Sequence, residues 1–140
     1  MPVEFNIFPE RGLVVVRYSG YASVNDTLTA SEAYVSHPDY ASGQKQLVDM
    51  TRVTGFEKDH VQFMEMQARK AERLAHSGLQ SLVVYIAPTA TSRDLSSMFV
   101  RSWADVDAVV PLVQHSETEA LALLGQQEEN IDILLATLAK

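Results

Sequence analysis

Catalysis and metal binding need nucleophiles, titratable groups or ligands at workable spacing, and this chain carries few of them. Its four histidines, His37, His60, His76 and His115, fall in separate segments. None stands in an H-x-x-E-H or H-x-H arrangement, so no single helix or strand presents two imidazoles to one ion. Loop and surface histidines are the simpler expectation. There is no cysteine, which removes disulfides, thiolate nucleophiles and cysteine-based zinc sites together. Serines are plentiful, but none lies in G-x-S-x-G. Asp49 is the polar group best placed to act, because the pattern puts it at a strand end, where parallel sheets present functional groups. No second carboxylate or nucleophile is spaced to pair with it. A carboxylate there more simply accepts amide hydrogens from the following loop, residues 51–55. Thr89, Thr91, Ser92 and Arg93 place free amides and a guanidinium at a helix start, which can hold phosphate or carboxylate. Without a glycine-rich loop, plain N-capping accounts for them. No catalytic residue, cofactor or metal is expected.

The apolar residues offer a different possibility. Phe63, Met64, Met66, Met98, Phe99 and Trp103 fall on two helical segments. Such residues usually form core, yet methionine and aromatic side chains also line adaptable pockets. Phe63, Met66, Phe99 and Trp103 are therefore the candidates for contact with a small apolar ligand.

The elements that position these residues follow from periodicity. Val3, Phe5 and Ile7 alternate with polar neighbours, and Leu13–Tyr18 follows the Pro9–Gly12 turn, which predicts an opening hairpin ended by Gly20. Ser23 and Asp26 form a capping box for a helix whose inner face is Val24, Leu28, Ser31 and Val35. Residues 46–50 predict a short strand. A helix over about 58–76 is predicted with the apolar stripe Val61, Met64, Ala68, Ala71 and Ala75, widened by Phe63 and Met66. Residues 82–87, LVVYIA, predict the most buried strand. A capping box at Thr91–Asp94 then opens a helix, and 109–114 is a strand that Pro111 assigns to an edge. Ser116 and Glu119 open a short helix closed by Gly125. Strands alternating with helices imply a mostly parallel α/β sheet of about five strands.

The chain has 140 residues, 46% apolar and 21% charged, the values of one globular domain. A net charge of -7 disfavours nucleic acid and anionic membrane surfaces as partners. The opening MPVEFNIFPERG lacks a signal peptide's basic start and apolar run, and no stretch approaches the roughly 20 apolar residues of a membrane span. Cytoplasmic residence is the expectation.

Element order and several short signatures resemble the SpoIIAA-like family of STAS-fold proteins, which includes the anti-sigma-factor antagonists. The signatures are GLVVVRYSG, HPDYASG, QLVDMTRVTG and TEALALLG, spanning about residues 1–125. The resemblance implies a small mixed sheet with an N-terminal hairpin and helices mainly on one face. In the antagonists a strand ending in Asp-hydrophobic-Ser/Thr leads to a serine at the next helix start, and its phosphorylation switches partner binding. Asp49-Met-Thr51 matches that strand end. An ungapped count from Asp49 puts Glu57 and Lys58 where the antagonists carry Asp-Ser. A lysine cannot become the dianion that such a switch needs. The resemblance thus implies a non-enzymatic interaction or regulatory module, without the phosphoserine switch, engaging a protein partner through Asp49, Thr51, Thr54 and Lys58. The alternative is a binder of a small apolar ligand or lipid, since the fold is similar to that of Sec14-type domains.

Residues 126–140 lie beyond the part that resembles the family. Ile131, Leu134, Leu135 and Leu138 form one more apolar stripe there, in a C-terminal helical extension. The stripe packs back onto the 1–125 domain or pairs with a second copy in a homodimer; the sequence leaves both open.

Overall fold

A computed structural model describes residues 2–59, 61–65, 67–68, 81–103 and 109–139. Five strands form one sheet in chain order: β1 (Val3–Phe8), β2 (Leu13–Ala22), β3 (Lys45–Phe56), β4 (Ser81–Ile86) and β5 (Val109–Gln114). The β1–β2 hairpin is antiparallel and the other pairs are parallel. Gly12 closes the hairpin with φ 61°, a left-handed conformation that glycine adopts at no steric cost. Pro111 sits in β5, an edge strand as expected, where a missing N–H costs no ladder bond on the outer side.

Helices α1 (Val24–Val35), α2 (Ala90–Ser102), α3 (Glu117–Leu123) and α4 (Ile131–Ala136) connect or follow the strands. Residues 61–65 and 67–68 are also helical. Each labelled helix has a side-chain N-cap. Ser23 accepts from Asp26 N, Ser116 from Glu119 N and Asn130 from Ile133 N. For α2 the cap is Thr89 rather than Thr91: Thr89 and Ser92 bond reciprocally, starting the helix two residues earlier than the Thr91–Asp94 pattern suggested.

Two apolar layers flank the sheet. On the first face Val48, Met50, Val83 and Tyr85 pack with Val24, Phe63, Leu95, Phe99 and Trp103. On the second, Leu13, Val15, Leu47, Val84 and Ile86 pack with Leu121, Leu124, Ile131 and Leu134. The longer helices α1 and α2 thus share one face with Phe63, while the short α3 and α4 cover the other. Arg11 ties the 126–130 turn to the hairpin, donating to Gln126 Oε1 and, through both terminal nitrogens, to the Glu128 carboxylate at 2.8 and 2.9 Å. That paired hydrogen bond holds the Glu128 carboxyl below the usual range.

β2 and β3 both run further than expected, to Ala22 and Phe56. The cause is a pair of register shifts. One places Met50 and Thr51 opposite Tyr18, and the other inserts Thr54 between the Gly20–Val53 and Tyr21–Gly55 pairs. Gly20, at φ 69°, bends the ribbon instead of ending it. The β4 ladder stops at the Asp49–Ile86 pair. From Met50 onward, β3 therefore pairs with β2 alone among the described residues.

Candidate functional site

Residues 49–58 do not form the loop expected after a short strand; through Phe56 they are strand. Asp49 lies at the first register shift with its side chain 6% exposed. Its Oδ1 accepts from Thr51 N at 3.0 Å and from the Thr51 hydroxyl at 2.6 Å. Its Oδ2 stands 3.4 Å from Arg17 Nε. The carboxylate thus bonds the extra residue of the bulge and neutralises a half-buried guanidinium. Arg17 Nη1 also donates to Asp132 Oδ1 on α4, at 3.4 Å. Asp49 has a structural place rather than a reactive one.

The other partner candidates face outward. Thr51, Thr54 and Lys58 are exposed, as is Arg52 between them. Lys58 Nζ lies 5.6 Å from the centre of the Phe56 ring, a cation–π contact that holds the lysine at the ribbon's end. Tyr21, paired with Gly55 across the ribbon, is 57% exposed and was missed by sequence reasoning. The signal was hidden because Gly20 was expected to end the strand. Asp49 and Thr51 are in contact; Thr54 and Lys58 lie farther along the same segment.

The helix after the ribbon turns a different face inward than its stripe suggested. Val61 and Met64 are 71% and 51% exposed, and Ala68 is exposed too, whereas Phe63 and Gln67 are buried. Phe63 meets the Phe99 ring edge-on at 4.9 Å, and Gln67 Nε2 donates to Ser102 Oγ at 2.6 Å. One large ring plus a buried hydrogen bond outweigh the burial of small alanines in setting the helix's rotation. Ala71 and Ala75 of that stripe, with Met66, lie outside the described residues.

Phe99 and Trp103, two of the apolar-ligand candidates, line a cavity between α1 and the first face of the sheet. Phe63 packs behind Phe99 without lining it. Tyr18, Thr27, Tyr34 and Tyr85 also line it, and periodicity alone did not single them out. The Trp103 indole donates to Tyr85 Oη at 3.0 Å, and Tyr18 Oη and Thr27 Oγ1 are hydrogen-bonded at 3.1 Å. Burial pushes the Tyr18 hydroxyl up to about 12 and raises those of Tyr34 and Tyr85 as well.

The four terminal residues divide. Ile131 and Leu134 are fully buried in the second layer, Leu135 is half-buried beside them, and Leu138 is 46% exposed. The first two are thus used within the chain and are not available as a pairing surface. Thr89, Ser92 and Arg93 are likewise engaged: the first two bond each other, and Arg93 donates to Pro88 O. His37 accepts from Asp39 N, His115 is exposed, and His60 and His76 lie outside the described residues. No group of three or more potential ligands could hold a metal ion among the described residues. No helix among them is long and apolar enough to cross a membrane.

No protein-family model matches the chain. Comparison with curated proteins gives no match either. Among solved structures, the anti-sigma factor antagonist SpoIIAA in its unphosphorylated form is similar, with a TM-score of 0.48 and 14% identity. The match covers 86% of this chain and 94% of that one.

Proposed function

We propose that the protein is a non-enzymatic interaction or regulatory module, and that it engages a protein partner through the projecting β2–β3 ribbon. One observation carries this reading: from Met50 to Phe56, β3 has no strand neighbour on its β4 side among the described residues. A strand edge without a strand neighbour can pair with an extended segment of another chain. Around that edge stand the exposed Tyr21, Thr51, Arg52, Thr54 and Lys58. Tyr21 and Arg52 are of the types enriched at interfaces, and the threonine hydroxyls and Lys58 suit a polar rim. Asp49 serves the surface from inside, by holding the bulge that shapes it. With lysine at 58, partner exchange would not run through a phosphate at that position.

The test is a photo-crosslinking residue placed at Thr54 in the producing cell, with the same residue at Glu10 as control. Glu10 is exposed at the far end of β2. A discrete protein adduct from position 54, absent from position 10 and lost with Tyr21→Ser, supports the reading. A product of two joined copies would make the partner a second copy of this chain. No adduct from 54, or equal adducts from both positions, overturns it.

A further inference from the structure

The first face of the sheet is incompletely filled. Large side chains rise from the strands, while α1 sets Thr27, Ala30 and Ser31 against them, and a cavity of about 100 Å³ remains. Only Val24 and Thr27 of α1 are buried, so the helix bridges this space rather than closing it. The exposed Glu32 and half-buried Tyr40 also line it, which connects it to the surface.

Hydrogen-bond accounting gives the cavity a chemical character. A tyrosine hydroxyl has one hydrogen to donate and lone pairs to accept. Tyr85 Oη accepts from Trp103, and its own hydrogen has no acceptor among the described residues. The Tyr18–Thr27 contact uses one of two hydroxyl hydrogens, leaving the other without an acceptor there. A buried donor left unpaired is costly, and such groups usually meet a partner or ligand. Burial raises the Tyr18 and Tyr85 hydroxyl pKa values, so both stay protonated donors at neutral pH. Among the described residues that line the cavity, Glu32 is the only carboxylate and there is no lysine, arginine or histidine. An anionic ligand would find no counter-charge among them.

We propose that this cavity binds a neutral, mostly apolar molecule the size of a short chain of about four heavy atoms, whose single carbonyl-type acceptor is met by the Tyr85 hydroxyl. The size follows from the volume: a dry cavity of about 150 Å³ takes one benzene ring, and about 100 Å³ takes a smaller molecule. The site is separate from the ribbon surface, and its test does not depend on a protein partner.

Trp103 is the single tryptophan of the chain and lines the cavity, so its indole N–H is a lone and local NMR reporter. The nitrogen-15-labelled protein is titrated with acetone and, separately, with propane. Both should give saturable shifts of the indole signal. Tyr85→Phe should weaken acetone about five- to tenfold, the worth of one hydrogen bond, and leave propane unchanged. Ala30→Leu, which leaves Tyr85 in place, should abolish saturation by both. The proposal is overturned if neither probe saturates in the native protein. It is equally overturned if Tyr85→Phe weakens both probes alike, or if Ala30→Leu binds them as the native protein does.

Discussion

Leu134→Ala tests whether the C-terminal helix belongs to the domain core. Leu134 has no exposed surface and packs in one layer with Leu13, Leu47, Ile86, Leu121 and Leu124. Truncating a leucine at such a site removes about three methyl-sized groups from a packed interior and leaves a void. Substitutions of this kind cost about 2–5 kcal/mol, and a value near 3 suits a helix of only six residues that can partly collapse inward. Unfolding entropy of about 2.1 cal/mol/K per residue gives about 0.3 kcal/mol/K for 140 residues, so Tm should fall by about 10 °C. Urea unfolding followed by circular dichroism should show a lower midpoint at an unchanged slope, since the same surface is exposed on unfolding. Leu138→Ala, at a 46% exposed position, should stay within about 0.5 kcal/mol of the native protein. A Tm loss under about 2 °C for Leu134→Ala would refute the packing argument. So would a native Tm that rises with protein concentration and loses that dependence in the variant, because mass action would then place the helix against a second copy.

Asp49→Ala should cost about 2 kcal/mol, because it strands the Thr51 amide and leaves Arg17, among the described residues, with only the exposed Asp132 as an ion-pair partner; an unchanged urea midpoint would contradict the structural place given to Asp49. Alkaline titration should find Tyr18, Tyr34 and Tyr85 resistant to ionisation while the protein is folded. The folded-state pKa is raised for Tyr18, Tyr34 and Tyr85, so their contribution is intact below pH 10 and is lost as pH rises through the folded values. Their phenolate absorbance should therefore appear together with unfolding, and five tyrosines ionising at pH 10 in a folded protein would count against the burial of the cavity wall. Removing residues 126–140 uncovers Leu13, Leu47 and Leu124 on the second face, and should sharply reduce solubility or shift the oligomeric state. Size-exclusion chromatography unchanged on both counts would go against it.

Much of the frame was legible from local signals. Alternation placed Val3, Phe5 and Ile7 on a strand, Pro111 marked the edge strand, and Ser23 and Ser116 capped the helices they were expected to cap. The amide contact of Asp49 was legible too, because a short carboxylate accepts from an amide two residues on in a strand bulge as it would in a loop. What failed was any step that needed a neighbour. Gly20 and the Thr54–Gly55 pair carry turn chemistry, and only the pairing of β2 with β3 converts that chemistry into bulges. The stripe Val61, Met64 and Ala68 is a sound helical period, yet the rotation of that helix is set by Phe99 and Ser102, which come from another element.

The sequence by itself determined the order of the elements, the hairpin, the Ser23 and Ser116 caps and the absence of cysteine chemistry. These depend on contacts within a few residues, where propensity and spacing are sufficient. The tertiary structure alone decided three things. It turned α4 inward, because the second sheet face offered Leu13, Leu47 and Ile86, on which Ile131 and Leu134 pack beside Leu121 and Leu124. It lengthened β3 into an edge, because a bulge can be defined only against a partner strand. It left a cavity under α1, because a void is the difference between side-chain volumes on elements far apart in the chain, and no single stretch of residues contains that difference.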